Sequence, residues 1–407
     1  MPTEPSNPAV GHDCSSARSP DLSRYLSGLY ILLGGGGSNL QTTRKREIRL
    51  NPNPFLGVVF HWTGGASAAS CYLPFRAIKH WSWEIYWLLQ GVFSWIVAPA
   101  IAAALIVPNW FSTISQTSAH TLLLAWFWGA MWGIGGLTFG LGVRYLGVAL
   151  GYTIALGFST AFGTLMPPLF AGELGAIASE RSGQVILLGV AVCIAAIVVS
   201  GLAGLHKERE LGASHGQVRE FDYRKGLLVA TFAGVMSACF AYGLADAKPI
   251  DLLAQTQLAQ HNRSDLWQHL PGLVVVLWGG FTTNFLWCAF LLIRNRSAAQ
   301  FLGRSPQGQI PAQTLAVNAA ACAAAGLLWY FQFFFYSMGE TKMGHYSFSS
   351  WTLHMAGTIL FATLWGVLLK EWRGTGRGTK LLGTAGFLLL VLSTIIVGYG
   401  NYLKAHP

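Results

Sequence analysis

Residues 129–151 read GAMWGIGGLTFGLGVRYLGVALG, and eight of these 23 positions are glycine. Glycine costs a helix in water about 1 kcal/mol relative to alanine, but in a lipid bilayer small residues four positions apart let two helices pack closely. That spacing occurs three times, at Gly129/Gly133, Gly136/Gly140 and Gly147/Gly151. The stretch therefore predicts closely packed membrane helices, whose glycine-lined faces are also suited to sliding during a transport cycle.

The composition of the whole chain agrees with a membrane protein. Of the 407 residues, 53% are hydrophobic and 10% are charged, whereas soluble domains carry about 25% charged residues. The six cysteines are scattered and form no C-x-x-C pair, and no segment has the full pattern of a phosphate loop or a nucleophile elbow. We therefore expect no enzyme activity, no metal site and no bound cofactor.

Ten apolar segments approach the roughly 20 residues that a membrane-spanning helix needs. They are residues 55–75, 84–107, 121–143, 147–170, 184–204, 225–245, 269–293, 314–338, 347–369 and 381–402. A charged connection at 205–224 separates a first half, residues 55–204, from a second half, residues 225–402. With an odd number of spans in each half, the second half enters the membrane from the opposite side. The prediction is an all-α integral membrane protein with ten transmembrane helices in two inverted five-helix repeats.

The basic residues set the predicted orientation, because loops rich in Lys and Arg stay in the cytoplasm. One set of loops carries 15 of them and the opposite set carries five. The C-terminus is therefore predicted to lie outside, and the positive charge reflects cytoplasmic loops rather than nucleic-acid binding. Residues 1–50 add six basic residues to the side that should be poor in them. We expect a disordered or spurious extension there, with a poorly formed signal peptide as the alternative.

Three ionisable side chains are predicted at membrane depth, where such groups are costly and often functional. His61 lies in the first span beside small residues, and Glu84 opens the second span. His354 lies in the ninth span on a polar stripe that also contains Ser350 and Trp351. A stripe of this kind faces either a cavity or the polar side chains of another helix. We predict that His61, His354 and Glu84 take part in proton coupling; for Glu84 the alternative is an anchor at a helix end.

One face of the eighth span combines aromatic rings with an amide. Trp329, Gln332 and Tyr336 share this face at helical spacing. Aromatic rings can stack on the C–H faces of a sugar while an amide hydrogen-bonds its hydroxyl groups; the alternative is an aromatic belt at the membrane interface. A second buried amide is predicted at Asn284 in the seventh span. The predicted substrate-binding residues are Trp329, Gln332, Tyr336, Asn284, Trp351 and Ser350.

Several blocks of the sequence resemble the L-rhamnose–proton symporter family, which belongs to the drug/metabolite transporter superfamily. They are HWTGGASAASCYLPF (61–75), KHWSWE (79–84), WGAMWGIGGLTFGLGVRYLG (128–147), LWYFQFFFY (328–336), SWTLHM (350–355) and LLKEW (368–372). The similarity runs from about residue 55 to residue 402, and residues 1–50 lie outside it.

This resemblance implies a symporter that imports L-rhamnose, or a closely related deoxysugar, across the bacterial cell inner membrane. It also implies ten helices in two inverted repeats, both native termini in the periplasm and the proton as the coupling ion. The alternatives are an exporter or exchanger of another small metabolite from the same superfamily and, from another class, a sugar sensor that does not transport. The sequence makes no prediction of the oligomeric state.

Overall fold

The computed structural model describes residues 52–211, 222–305 and 308–406, and the extension predicted at residues 1–50 lies outside them. The helices before residue 212 are α1 (Pro54–Ser70), α2 (Trp83–Gly91), α3 (Ala98–Ile106), α4 (Trp110–Ser115), α5 (Ala119–Leu146), α6 (Val148–Phe170), α7 (Leu174–Ser179) and α8 (Arg181–Glu210). Those after residue 221 are α9 (Tyr223–Asp246), α10 (Lys248–Gln260), α11 (Leu270–Arg294), α12 (Ala312–Met343), α13 (Ser350–Leu368) and α14 (Arg377–Ala405). Short 3-10 segments lie at Pro74–Ala77, Asp265–Trp267, Ala298–Leu302 and Gly344–Ser349, and the two-residue strands β1 (Arg304–Ser305) and β2 (Gly308–Gln309) pair antiparallel.

Long apolar helices dominate this architecture. Within the described ranges, eight helical stretches are long and apolar enough to cross a membrane. One of them, Ala312–Leu368, contains both α12 and α13, joined by the 3-10 segment at Gly344–Ser349. These helices confirm the prediction of an all-α membrane protein, and most of the predicted spans coincide with a helix to within a few residues.

The predicted second span is not one regular helix. It is divided into α2, a π-helical segment at Val92–Val97 and α3. Pro99 lies in the first turn of α3, and its missing N–H removes one hydrogen bond from the regular α-helical series. A local change of winding is a common response to such a gap, and π segments often mark functional sites.

The connection between the predicted sixth and seventh spans contains a helix that hydropathy alone does not reveal. Helix α10 buries Ile250, Ala254 and Leu258 on one face, a spacing of four residues that keeps them aligned along the helix. Its other residues are mostly polar, so the segment lacks the continuous apolar run that identifies a membrane span.

Helix packing relates the two halves of the chain. Helix α1 packs against α12 and α13, while α9 packs against α5 and α6. The first helix of each half therefore lies against the third and fourth predicted spans of the other half. In addition, α8 packs along α14. The contacts of α1 with α12 and α13 bring together the residues of the candidate site.

The glycines of 129–151 serve packing only in part as predicted. A Cβ on Gly129 would overlap the carbonyl oxygen of Val276 in α11, and one on Gly133 would overlap the side chain of Thr283, so this pair does bring two helices close together. The prediction for Gly136 and Gly140 is wrong, because a Cβ built at either position would have no atom of another described helix within 4 Å. Gly147 joins α5 to α6 with φ +85°, a conformation that glycine adopts readily.

Candidate functional site

Two buried histidines from different helices meet at one tyrosine. The ring of His61 on α1 lies 5.3 Å from the ring of Tyr336 on α12, and that of His354 on α13 lies 5.5 Å from it. The two histidines are 0% and 1% exposed. Sequence analysis singled out all three residues, and the structure places them in one cluster.

Small residues allow this close approach of the three helices. A Cβ on Gly339 of α12 would lie 2.7 Å from Nε2 of His61, so the imidazole occupies the space that a side chain would fill. On α1, a Cβ on Gly64 would lie 2.8 Å from the backbone oxygen of Gln332, and one on Gly65 would lie 2.6 Å from the backbone nitrogen of Thr358 on α13. Glycines on α1 and α12 therefore hold His61 against Tyr336.

The histidines, together with residues one helical turn before Tyr336 and His354 on α12 and α13, contain polar atoms that have no hydrogen-bond partner among the described residues. They are Nδ1 and Nε2 of His61, Nδ1 of His354, Nε2 of Gln332 and Oγ of Ser350. Leaving a buried donor or acceptor unpaired costs about 1–3 kcal/mol, and each such group in a native structure calls for an explanation. These atoms are available to hydrogen-bond a polar ligand or to exchange a proton.

Three aromatic side chains, which we call the aromatic wall, lie beside the histidines: Trp351, Phe240 and Phe333. The ring of Trp351 lies 5.9 Å from that of Tyr336, and its Nε1 donates a 2.9 Å hydrogen bond to the backbone oxygen of Ser159 on α6. Phe240 of α9 lies 5.7 Å from Trp351 and 4.3 Å from Phe333. The predicted polar stripe of α13 therefore faces other helices, and Trp351 is fixed in place by its bond to α6.

A cluster of four tryptophans adjoins this wall, and sequence analysis identified only one of them, Trp329. The ring of Trp329 lies 5.8 Å from Trp87 and 6.2 Å from Trp95, and Trp95 lies 6.1 Å from Trp132. Trp132 in turn lies 5.4 Å from Phe333, so the rings are continuous with the histidine site. We call Trp87, Trp95, Trp132 and Trp329 the tryptophan cluster.

The π-helical segment explains why Trp87 and Trp95 were missed. In a regular α-helix, two residues eight positions apart differ by about 80° around the axis, which would turn Trp95 away from Trp87. The wider π turn at Val92–Val97 contains Trp95 and reduces this rotation, so both rings reach Trp329. The signal visible in the sequence is the density of tryptophans between residues 81 and 95.

Buried amides accompany the tryptophan cluster. Asn284 accepts a 2.9 Å hydrogen bond from Nε1 of Trp87 and donates one of 2.9 Å to the backbone oxygen of Gly280, so it holds the indole in position. Gln90, which sequence analysis overlooked, is 0% exposed and donates to Ser94 at 3.0 Å. Its Oε1 has no partner among the described residues, and neither do Nε1 of Trp95 and of Trp329. Gln90 and the tryptophan cluster thus contain one acceptor and two donors that no described residue satisfies.

The structure places Glu84 apart from the histidines. Its Oε1 accepts hydrogen bonds of 2.6 Å from Oγ of Ser297 and 3.1 Å from Nδ2 of Asn295, both just after α11. Glu84 lies in the first turn of α2, where a negative charge is favoured by the helix dipole. These contacts link two helix ends, an arrangement that fits the alternative role of an anchor, and the prediction of proton coupling by Glu84 stays a prediction.

Comparison with known proteins identifies the family. The profile of the L-rhamnose-proton symport protein family matches residues 50–402. The L-rhamnose-proton symporter of Cronobacter sakazakii is 36% identical over 346 residues, which cover 85% of this chain and 97% of that relative. The L-rhamnose-proton symporter of Yersinia pestis is 36% identical over 355 residues, which cover 86% and 99%. The predicted resemblance is confirmed, and with it the prediction of a transporter rather than an enzyme: the chain belongs to the L-rhamnose-proton symport protein family.

Proposed function

We propose that the protein imports L-rhamnose, or a closely related deoxysugar, together with protons across the bacterial inner membrane. The observation that carries this proposal is the meeting of His61 and His354 at Tyr336, directly beside the tryptophan cluster. Groups suited to protons and groups suited to a sugar thus adjoin each other in the interior of the protein. The relatives named as L-rhamnose-proton symporters support the choice of sugar and coupling ion.

For the architecture, we propose ten transmembrane helices in two inverted repeats, within residues 55–204 and 225–402. The helix packing supports this arrangement, because α1 lies against α12 and α13 in the same way that α9 lies against α5 and α6. Inverted repeats commonly place the substrate site at their interface, and the histidine site lies between α1 of the first half and α12 and α13 of the second. The excess of basic residues on one set of loops supports cytoplasmic loops there and termini in the periplasm.

The sugar would be bound by rings and amides. Trp329, Tyr336 and Trp351 would stack on its apolar faces, and the tryptophan cluster adds Trp87 and Trp95 to these rings. Aromatic contacts of this kind contribute about 0.5–1.5 kcal/mol each beyond the area they bury. Hydrogen bonds to the hydroxyl groups would come from Gln332 and Ser350, whose polar atoms lack partners among the described residues. Asn284 would act through Trp87, which it positions.

Proton coupling would involve His61 and His354. Histidine is the side chain whose ordinary pKa lies nearest neutrality, which suits reversible protonation. Both residues are buried in this conformation, so a transport cycle must expose them to each side of the membrane in turn. A symporter must favour the states in which proton and sugar are bound together or both absent, and the shared contact with Tyr336 offers a direct link between the two ligands.

The test is uptake of labelled L-rhamnose into proteoliposomes under an imposed inward proton gradient. Accumulation above equilibrium that a protonophore abolishes is the expected result. Equilibration without accumulation, unaffected by the protonophore, would contradict coupling to protons. An absence of any uptake would contradict the choice of sugar and direct the test to other deoxysugars and to export. Binding of L-rhamnose without its movement into the vesicles would indicate a sensor.

A further inference from the structure

A second group of ionisable side chains lies at the end of the helices that we propose to face the periplasm. Oδ2 of Asp251 on α10 lies 2.7 Å from Nδ1 of His269, the residue immediately before α11. The side chains are 9% and 15% exposed, respectively. Buried ionisable groups in a membrane protein are rare and costly, and neither residue belongs to the site described above.

The geometry around Asp251 fixes this pair in place. Its other oxygen, Oδ1, has no hydrogen-bond partner among the described residues and would lie 2.5 Å from a Cβ built on Gly272. The absence of a side chain at Gly272 therefore creates the space for the carboxylate. Burial raises the pKa of Asp251, and the neighbouring His269 opposes this effect.

The 3-10 segment Asp265–Trp267, just before His269, packs against α12, and Glu340 of α12 lies within electrostatic reach of the pair. It is half-buried and interacts electrostatically with His269, Asp251 and Lys248, which are the charged groups that α10 and the start of α11 bring near it. Asp251 and His269 are bound to each other, and Lys248 is exposed. Among the described residues, no side chain donates a hydrogen bond to Glu340. Glu340 is thus the carboxylate of this group without a dedicated partner.

Helix α12 connects Glu340 directly to the histidine site. Glu340 follows Tyr336 by four residues on α12, so the two side chains are neighbours on one face of the helix. Gly339, the adjacent residue, is the position against which the imidazole of His61 packs. A change of charge at Glu340 therefore acts one helical turn from the ring that both histidines contact.

We propose that Glu340 is a proton-binding residue on the outer side of the transport pathway, and that the charges of Asp251 and His269 set how readily it takes up a proton. The step adds one proton from the outer solution to a carboxylate oxygen of Glu340, and the proton leaves on the inner side later in the cycle. This proposal rests on the proposed function as a proton symporter and adds a residue to it. Neutralising Glu340 removes a charge beside Tyr336, which links proton binding to the histidine site.

The experiment compares Glu340→Gln with the wild type in proteoliposomes. Glutamine has nearly the size of a protonated glutamic acid but cannot ionise, so we expect loss of proton-driven accumulation and retention of counterflow, the exchange of labelled for unlabelled L-rhamnose. The matched control is Glu180→Gln. Glu180 is also a carboxylate at the proposed outer end, where it accepts hydrogen bonds from Tyr346 and Lys404, and this variant should retain both activities. Accumulation by Glu340→Gln at the wild-type level, or loss of its counterflow, would overturn the proposal.

A second measurement does not depend on the sugar. The infrared absorption of protonated carboxyl groups is followed while the purified protein in lipid is titrated with acid. We expect a component that is present in the wild type and in Glu180→Gln and absent in Glu340→Gln; an identical titration in all three proteins would overturn the proposal. If Glu340→Gln does not fold, Glu340→Asp takes its place and should shift the pH midpoint of this infrared component. An unchanged midpoint would overturn the proposal. If the wild type does not transport L-rhamnose, the proposed function fails and the infrared result alone decides this inference.

Discussion

The rings of His61 and His354 lie 5.3 and 5.5 Å from that of Tyr336, although the two histidines come from helices on different halves of the chain. Any movement of α1 relative to α13 must therefore change at least one of these contacts. Packed interiors of this kind switch between discrete arrangements rather than deforming continuously. The contact of both histidines with Tyr336 is thus a place where protonation and helix movement can influence each other.

The first prediction concerns the two histidines. His61→Ala and His354→Ala should each abolish accumulation of L-rhamnose under a proton gradient, because alanine removes the ring that can gain or lose a proton. Uptake into proteoliposomes with and without a protonophore measures this effect. His120→Ala, at an exposed position near the start of α5, serves as the control and should accumulate sugar normally. Gradient-driven accumulation in both site variants would show that these histidines do not couple transport to protons.

The histidine site was predictable from the sequence, but its geometry was not. His61 and His354 stand out because each is a lone ionisable residue in an apolar span. Nothing in their local patterns shows that the same tyrosine lies between them, because that contact depends on how α1 packs against α12 and α13.

The tryptophan cluster shows a different limit of sequence analysis. Trp329 was found because it lies on a regular helical face with Tyr336. Trp95 lies in a π-helical segment, where the helical spacing used to assign faces does not apply, so its contact with Trp329 was missed. Asp251 was missed for a related reason, since α10 has too short an apolar face to be recognised by hydropathy.

The second prediction tests the tryptophan cluster as the sugar site. Trp329→Ala should weaken the apparent affinity for L-rhamnose by roughly 2- to 13-fold, which corresponds to the loss of one aromatic contact of about 0.5–1.5 kcal/mol. The concentration dependence of initial uptake rates gives this value. Trp287→Ala is a suitable control, because Trp287 is 45% exposed on α11. This substitution removes the same type of side chain from a position outside the tryptophan cluster. Equal affinities in the two variants would argue against stacking of the sugar on Trp329.

The third prediction concerns helix packing beside the site. Gly65→Ala should destabilise the protein by about 1–3 kcal/mol, a typical cost of overpacking, because the new Cβ would lie 2.6 Å from the backbone nitrogen of Thr358. Gly136→Ala should leave stability unchanged or slightly improved, since its Cβ would have no atom of another described helix within 4 Å and alanine favours helix. Thermal unfolding in detergent measures both variants. Similar melting temperatures for the two would show that α1 and α13 can separate at low cost.

The last prediction separates the two roles considered for Glu84. Both hydrogen bonds to Glu84 end on Oε1, from Ser297 and Asn295, and a glutamine Oε1 can accept them as well. If Glu84 is an anchor, Glu84→Gln keeps proton-driven accumulation with an unchanged pH dependence. Glu84→Ala instead leaves these two donors without their acceptor and should lower stability by about 1–3 kcal/mol. Loss of accumulation in Glu84→Gln, with thermal stability equal to that of the wild type, would instead assign Glu84 to proton coupling.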